Sequence, residues 1–173
     1  MVSREQLADF FEICRRGDPE AAAKMLEDDP ELINAEDVKG YTPLIIAVYN
    51  NHPAVVDLLL QRGANAEMQD QAGNTALMGV SFRGYKELAK KLVDAGADVN
   101  QRNYQGANAL AFAATIGQFE IAEMLLQKGV DIHARDVRGK SPLDHAVIQE
   151  NWEMVKLIEQ YLDSGSISTD NTP

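Results

Sequence analysis

The sequence predicts an all-α solenoid: helix–turn–helix units joined by β-turn or hairpin loops, about five in number with degenerate caps at both ends. Gly40, Gly73, Gly106 and Gly139 recur every 33 residues, and so do Leu44, Leu77, Leu110 and Leu143. Gly63, Gly96 and Gly129 keep the same period further along each unit. A fixed period of this size marks stacked identical units that present a long shallow surface, and such stacks seldom carry chemistry.

The parts of one unit follow in order. An Asp/Asn-x-x-Gly segment, as in Asp37 to Gly40, is a tight turn. Thr42, Thr75, Asn108 and Ser141 share the next column, and each can cap a helix by accepting a hydrogen bond from its first turn. Pro43 and Pro142 follow at the first helical position, where a missing N–H costs nothing. Leu44 and Ala47 lie on one helical face. The small column Ala47, Val80, Ala113 and Ala146 lets neighbouring helices approach closely. A second apolar run follows Asn51-His52, Gly84-Tyr85 and Gly117-Gln118, and Gly63, Gly96 and Gly129 end it in the left-handed conformation. Neither helix is long enough to stand alone, so stacking must stabilise both.

Thr42-Pro43-Leu44, Ser141-Pro142-Leu143, Val55-Val56-x-Leu58-Leu59-Leu60 and Gly96-Ala97-Asp98-Val99-Asn100 together resemble the ankyrin repeat family over residues 4–162. The pattern departs from the family where a histidine usually follows Thr-Pro-Leu; that column here reads Ile45, Met78, Ala111 and Asp144. Ala76 and Ala109 stand in the proline column. The resemblance implies a non-enzymatic interaction module without cofactor.

The units run over residues 3–36, 37–69, 70–102, 103–135 and 136–163 of a single domain spanning 1–163, with 164–173 expected to be a disordered tail low in large apolar groups. Ala8-Asp9-Phe10 stands where Thr-Pro-Leu belongs, and the exit loop from Glu27 to Asn34 is one residue longer than its counterparts. Glu159 replaces the apolar Leu60, Val93 and Leu126, and Glu150 replaces the turn glycine. These read as caps that keep the end faces soluble. No stretch is long enough to span a membrane, and the N-terminus lacks a secretory signal, leaving open a cleaved leader beyond this sequence. The single Cys14 reads as a buried inert thiol, and the composition suits a cytoplasmic setting.

In ankyrin-type stacks the partner meets the turn tips and the exposed edge of the first helix. Carried over, that surface offers Tyr41, Tyr49, Phe82, Tyr104, Ile116 and Ile148 as apolar anchors along one stripe. It also carries Arg15, Arg16, Lys39, Arg83, Arg102, Arg135, Arg138 and Lys140, half of the 16 basic residues in a chain with 27 acidic ones and a net charge of −11. Asp37, Asp70 and Asp136 at the turn bases lie close and offset part of this charge, and the resemblance implies that they brace the turns. The concave side is therefore expected to be basic and the convex side, with Glu87, Glu120, Glu123 and Glu153, acidic. The function expected is capture of one partner protein through an acidic segment with apolar anchors, by a monomer. The alternatives are a polyanion such as RNA on the basic groove, which the overall acidity argues against, or self-association.

No catalytic, metal or cofactor constellation emerges. His52 fills a turn position and suits a structural hydrogen bond. Asp144-His145 are adjacent on one helix and point different ways, with no nucleophile placed beside them. No Cys/His spacing suits zinc, and the glycines follow the repeat rather than a phosphate loop.

Overall fold

The computed structural model describes residues 3–166. Among them are ten α-helices and no strand: α1 (Arg4–Arg16), α2 (Pro19–Asp28), α3 (Pro43–Tyr49), α4 (Pro53–Gln61), α5 (Ala76–Arg83), α6 (Lys86–Asp94), α7 (Ala109–Ile116), α8 (Phe119–Gln127), α9 (Pro142–Ile148) and α10 (Trp152–Ser166). The odd-numbered helices pack side by side in one layer and the even-numbered helices in a second layer behind them.

Each first helix from α3 onward starts as its capping residue dictates. The side chains of Thr42, Thr75, Asn108 and Ser141 accept from the backbone N–H of Ile45, Met78, Ala111 and Asp144. Ser141 and Asp144 form a reciprocal capping box. The core is built from repeated columns. Leu44, Leu77 and Leu110 are buried, and Ala47, Val80, Ala113 and Ala146 are sealed from solvent. Cys14 belongs to this small column and is equally sealed. Burial pushes its thiol up to about 12, so it is an inert core group.

Two seams lock the register between units. At the turn tips, the carboxylates of Asp37, Asp70 and Asp136 and the amide oxygen of Asn103 each accept two backbone N–H groups of their own turn. Successive tips are tied by Gln71 N–H to Lys39 C=O, Tyr104 N–H to Ala72 C=O and Val137 N–H to Gln105 C=O, at 3.1, 3.2 and 2.8 Å. At the opposite end, the Asn34 and Asn100 amide oxygens accept from the backbone of Asn65 and Asp131 in the following unit.

The caps differ in detail from the sequence expectation. The long exit loop of the first unit contains a 3-10 turn, Pro30–Asn34, which buries Leu32. The last helix continues to Ser166, past the point where the tail was expected to begin, because Tyr161 and Leu162 still pack on the core. The rest of that expected tail lies outside the described residues. Glu150 keeps the left-handed backbone of the glycine it replaces, with φ 54°, as does Asn51 at 56°.

Candidate functional site

The exposed edge of the first-helix layer and the turn tips form the face expected to meet a partner. Its most marked feature is a hollow of about 560 Å3 between the second and fourth units. Met78 and Gly79 form its floor, Tyr41 and Tyr49 one wall, and Phe82 and Phe112 the other, with Asn50, Asn74 and Arg83 around the mouth. The two walls are edge-to-face ring pairs, with centroids 5.9 Å apart for Tyr41–Tyr49 and 6.5 Å apart for Phe82–Phe112.

The hollow exists because of Gly79. Its counterparts one unit away on either side are Ile46 and Phe112. A Cβ at Gly79 would stand 3.0 Å from Cε1 of Tyr49, so the tyrosine ring leans directly on the bare backbone of α5. A glycine in the middle of a helix costs about 1 kcal/mol relative to alanine. Tyr49 is accordingly half-buried, and its phenol is pushed up to about 12, first by burial and then by the nearby Asp70 and Tyr41, against the lowering effect of Arg83. The Arg83 guanidinium donates to the Tyr49 carbonyl at 3.3 Å, which holds it at the mouth of the hollow.

The structure brings Tyr41, Tyr49, Phe82 and Arg83 together here. Phe82 is 49 % exposed, whereas Tyr41 and Tyr49 are half-buried wall residues rather than free anchors. Tyr104, Ile116 and Ile148 are exposed but do not line the hollow. Tyr104 instead covers the turn glycine of the preceding unit, where a Cβ on Gly73 would stand 2.7 Å from Cδ1 of its ring. The continuous stripe therefore becomes one concentrated hollow with outlying apolar groups. Phe112, Met78 and Gly79 were not singled out from sequence. The available signal was Gly79 itself, a glycine that falls off the 33-residue grid inside a predicted helix.

The basic residues also divide. Arg102 donates to the carbonyls of Gly106 and Arg135 at 2.9 and 2.6 Å, and Arg135 donates to the Gly139 carbonyl at 2.8 Å and reaches Asp144 at 3.3 Å. These two occupy the column of Gln69, whose amide makes the same ties to Gly73 and Arg102. They brace the turns, so their guanidinium groups are engaged within the stack. Arg15 pairs with Glu12. Arg16, Lys39, Arg83, Arg138 and Lys140 meet no carboxylate in an ion pair among the described residues. On the second-helix layer, by contrast, Arg62, Lys86, Lys90 and Lys91 are paired with Glu27, Glu120, Asp94 and Asp57.

Two of the three histidines sit in structural roles. His52 bonds the Arg15 carbonyl at 2.8 Å, and His145 bonds Asp136 at 2.9 Å, so Asp136 rather than the adjacent Asp144 is its acidic partner. Among the described residues no group of His, Cys, Asp or Glu side chains is arranged to hold a metal ion, and no helix is long and apolar enough to cross a membrane.

A stack of paired helices with capped first helices and hydrogen-bonded turn tips defines a repeat-type interaction scaffold. The family model described as ankyrin repeats (3 copies) matches residues 10–103 and 79–167, and the chain belongs to the ankyrin repeat family. Over 63 residues it is 36 % identical to BTB/POZ domain-containing protein 3 of Schizosaccharomyces pombe, a stretch covering 36 % of this chain and 12 % of that protein. Ankyrin repeats are generally protein–protein interaction modules.

Proposed function

We propose that the chain captures a partner protein in its concave groove, through an acidic segment that carries apolar anchors. The observation that carries this reading is the aromatic hollow with Arg83, which lacks a carboxylate partner, at its mouth, on a protein whose second-helix layer pairs Arg62, Lys86, Lys90 and Lys91 with carboxylates. An apolar recess fringed by unpaired charge is the arrangement that gives both contact energy and orientation to a bound chain. Phe82, Tyr49 and Tyr41 supply the buried contact. Arg83, Lys39, Arg138, Lys140 and Arg16 supply the field, strongest at low salt. A monomeric, non-catalytic role in the cytoplasm belongs to the same proposal.

The test is differential capture. The intact chain and a Phe82→Ala/Arg83→Glu variant of equal thermal stability are immobilised, and bound proteins are compared by mass spectrometry. Proteins bound by the first and lost from the second are expected. Identical sets would end the assignment.

The unpaired cations also favour a second reading, a polyanion such as RNA along the groove. It requires affinity that falls steeply with salt and is indifferent to Phe82→Ala. The net charge of −11 opposes it.

A further inference from the structure

We infer that the hollow over Gly79 is a socket for one large apolar side chain of the partner, an aromatic or leucine residue with a carboxylate beside it that meets Arg83. This rests on the groove reading above and makes it specific to one place and one chemistry.

The socket is lined by rings on both sides, and Met78, whose flexible thioether adapts to irregular shapes, lies beneath it. In the register of the repeat, Ile46 and Phe112 each place a side chain where Gly79 places none, so this recess is centred on α5, and a second hollow adjoins it beyond Asn74, Phe82 and Phe112. Its volume, about 560 Å3, admits a tryptophan or leucine side chain with room for the backbone that carries it.

The mouth selects charge. Arg83 is held there by the Tyr49 carbonyl and has no ion-pair partner among the described residues. None of the residues lining the hollow is acidic. Aromatic walls by themselves also attract a cation, including a quaternary ammonium. Here the guanidinium at the mouth repels one, and Asp70, the carboxylate that acts on Tyr49, lies outside the lining and is engaged by the backbone N–H groups of Ala72 and Asn74. The complementary ligand is therefore apolar at its tip and anionic at its flank.

The test follows backbone amide and methionine methyl resonances of the full chain during titration with short acetylated peptides in a glycine–serine background. The first contains Trp-Asp-Asp; in the second alanine replaces the tryptophan, in the third trimethyl-lysine replaces it, and in the fourth two lysines replace the aspartates. The first peptide is expected to move the Gly79 amide and the Met78 methyl, and each of the others to bind at least about tenfold more weakly. Gly79→Val should fill the socket and weaken the first peptide by a similar factor. Phe82→Ala, at a half-exposed wall position, repeats that test without loading the helix interior. Arg83→Glu should make the fourth peptide the tighter one. Shifts confined to Ile116 and Ile148 would overturn the socket while leaving the groove reading in place. Preference for trimethyl-lysine would overturn the stated partner chemistry. Absence of shifts with every peptide would overturn both the socket and the groove reading.

Discussion

His145 Nε2 lies 2.9 Å from Asp136 Oδ2, and both side chains are largely withdrawn from solvent. The pair joins the last first-helix to the base of its own turn. Burial opposes ionisation of Asp136, but the backbone N–H groups of Lys140 and Arg138 and the His145 ring outweigh it and hold the carboxyl below its ordinary range. A carboxylate with a lowered folded-state pKa stabilises the fold above the unfolded value and loses that contribution as pH falls through the folded value. Asp136→Asn is therefore expected to lower stability by about 1 kcal/mol at neutral pH. The gap from the parent protein should close as the pH falls from the ordinary carboxylate range through the lowered folded-state value. Urea denaturation at a series of pH values checks this, and a gap that stays constant would contradict it.

The half-buried phenol of Tyr49 gives the opposite slope. Its pKa rises from 10.0 to about 12 because burial, and then Asp70 and Tyr41, disfavour the phenolate, against the lowering effect of Arg83. The neutral folded form is favoured below the unfolded value, so this contribution fades as pH climbs from 10.0 to about 12. Tyr49→Phe is expected to flatten the alkaline fall in stability. Ultraviolet titration of the parent should show one tyrosine ionising late, and that late step should vanish in the variant.

Glu150 occupies a left-handed backbone conformation at φ 54°, in the column where two inner units have Gly84 and Gly117. A side chain there costs roughly 1–2 kcal/mol relative to glycine. Part of that is offset by the greater freedom of glycine in the unfolded chain. Glu150→Gly is expected to stabilise the protein by about 1 kcal/mol in a denaturant titration. A loss of stability would show that the Glu150 side chain makes an offsetting contact.

Gly73 and Gly63 separate two costs that sequence alone cannot tell apart. Both have positive φ, 79° and 85°. A Cβ on Gly73 would stand 2.6 Å from the Tyr104 backbone nitrogen, whereas one on Gly63 would meet nothing within 4 Å. Gly63→Ala should cost about 1 kcal/mol, the backbone penalty alone. Gly73→Ala should cost at least about twice that, because it also parts two turn tips. Equal losses would mean that the tip contact yields freely.

Cys14 tests the compactness of the N-terminal cap. With its thiol pushed up to about 12 and no exposed surface, it should resist a thiol-reactive probe at mildly alkaline pH in the native protein. Its labelling rate is expected to rise with denaturant in step with unfolding. Rapid labelling of the native chain would show that α1 opens independently of the stack.

Local chemistry was legible along the chain wherever one residue type has one use. Thr42, Thr75, Asn108 and Ser141 cap helices, and the aspartates at the turns accept N–H groups, because those short side chains lie within reach of their own backbone neighbours. Arg102 and Arg135 show where this reading failed. Charge alone placed both on an expected basic face, but each guanidinium finds a carbonyl in its own turn, and Arg102 also reaches one in the next unit. A distance between units decides that outcome, and no run of residues displays it.

The 33-residue period by itself determined the fold as a stack of repeated helix pairs, because each unit can bury its apolar columns only against its neighbours. Only the tertiary structure decided where on that stack the candidate site concentrates. Tyr49 of one unit leans on Gly79 of the next, Phe112 of the unit beyond supplies half of the opposite wall, and Arg83 turns back to the Tyr49 carbonyl. The hollow is thus a property of the spacing between neighbours rather than of any one repeat. Its depth comes from a side chain that is missing, and what surrounds that gap is set by how the helices pack.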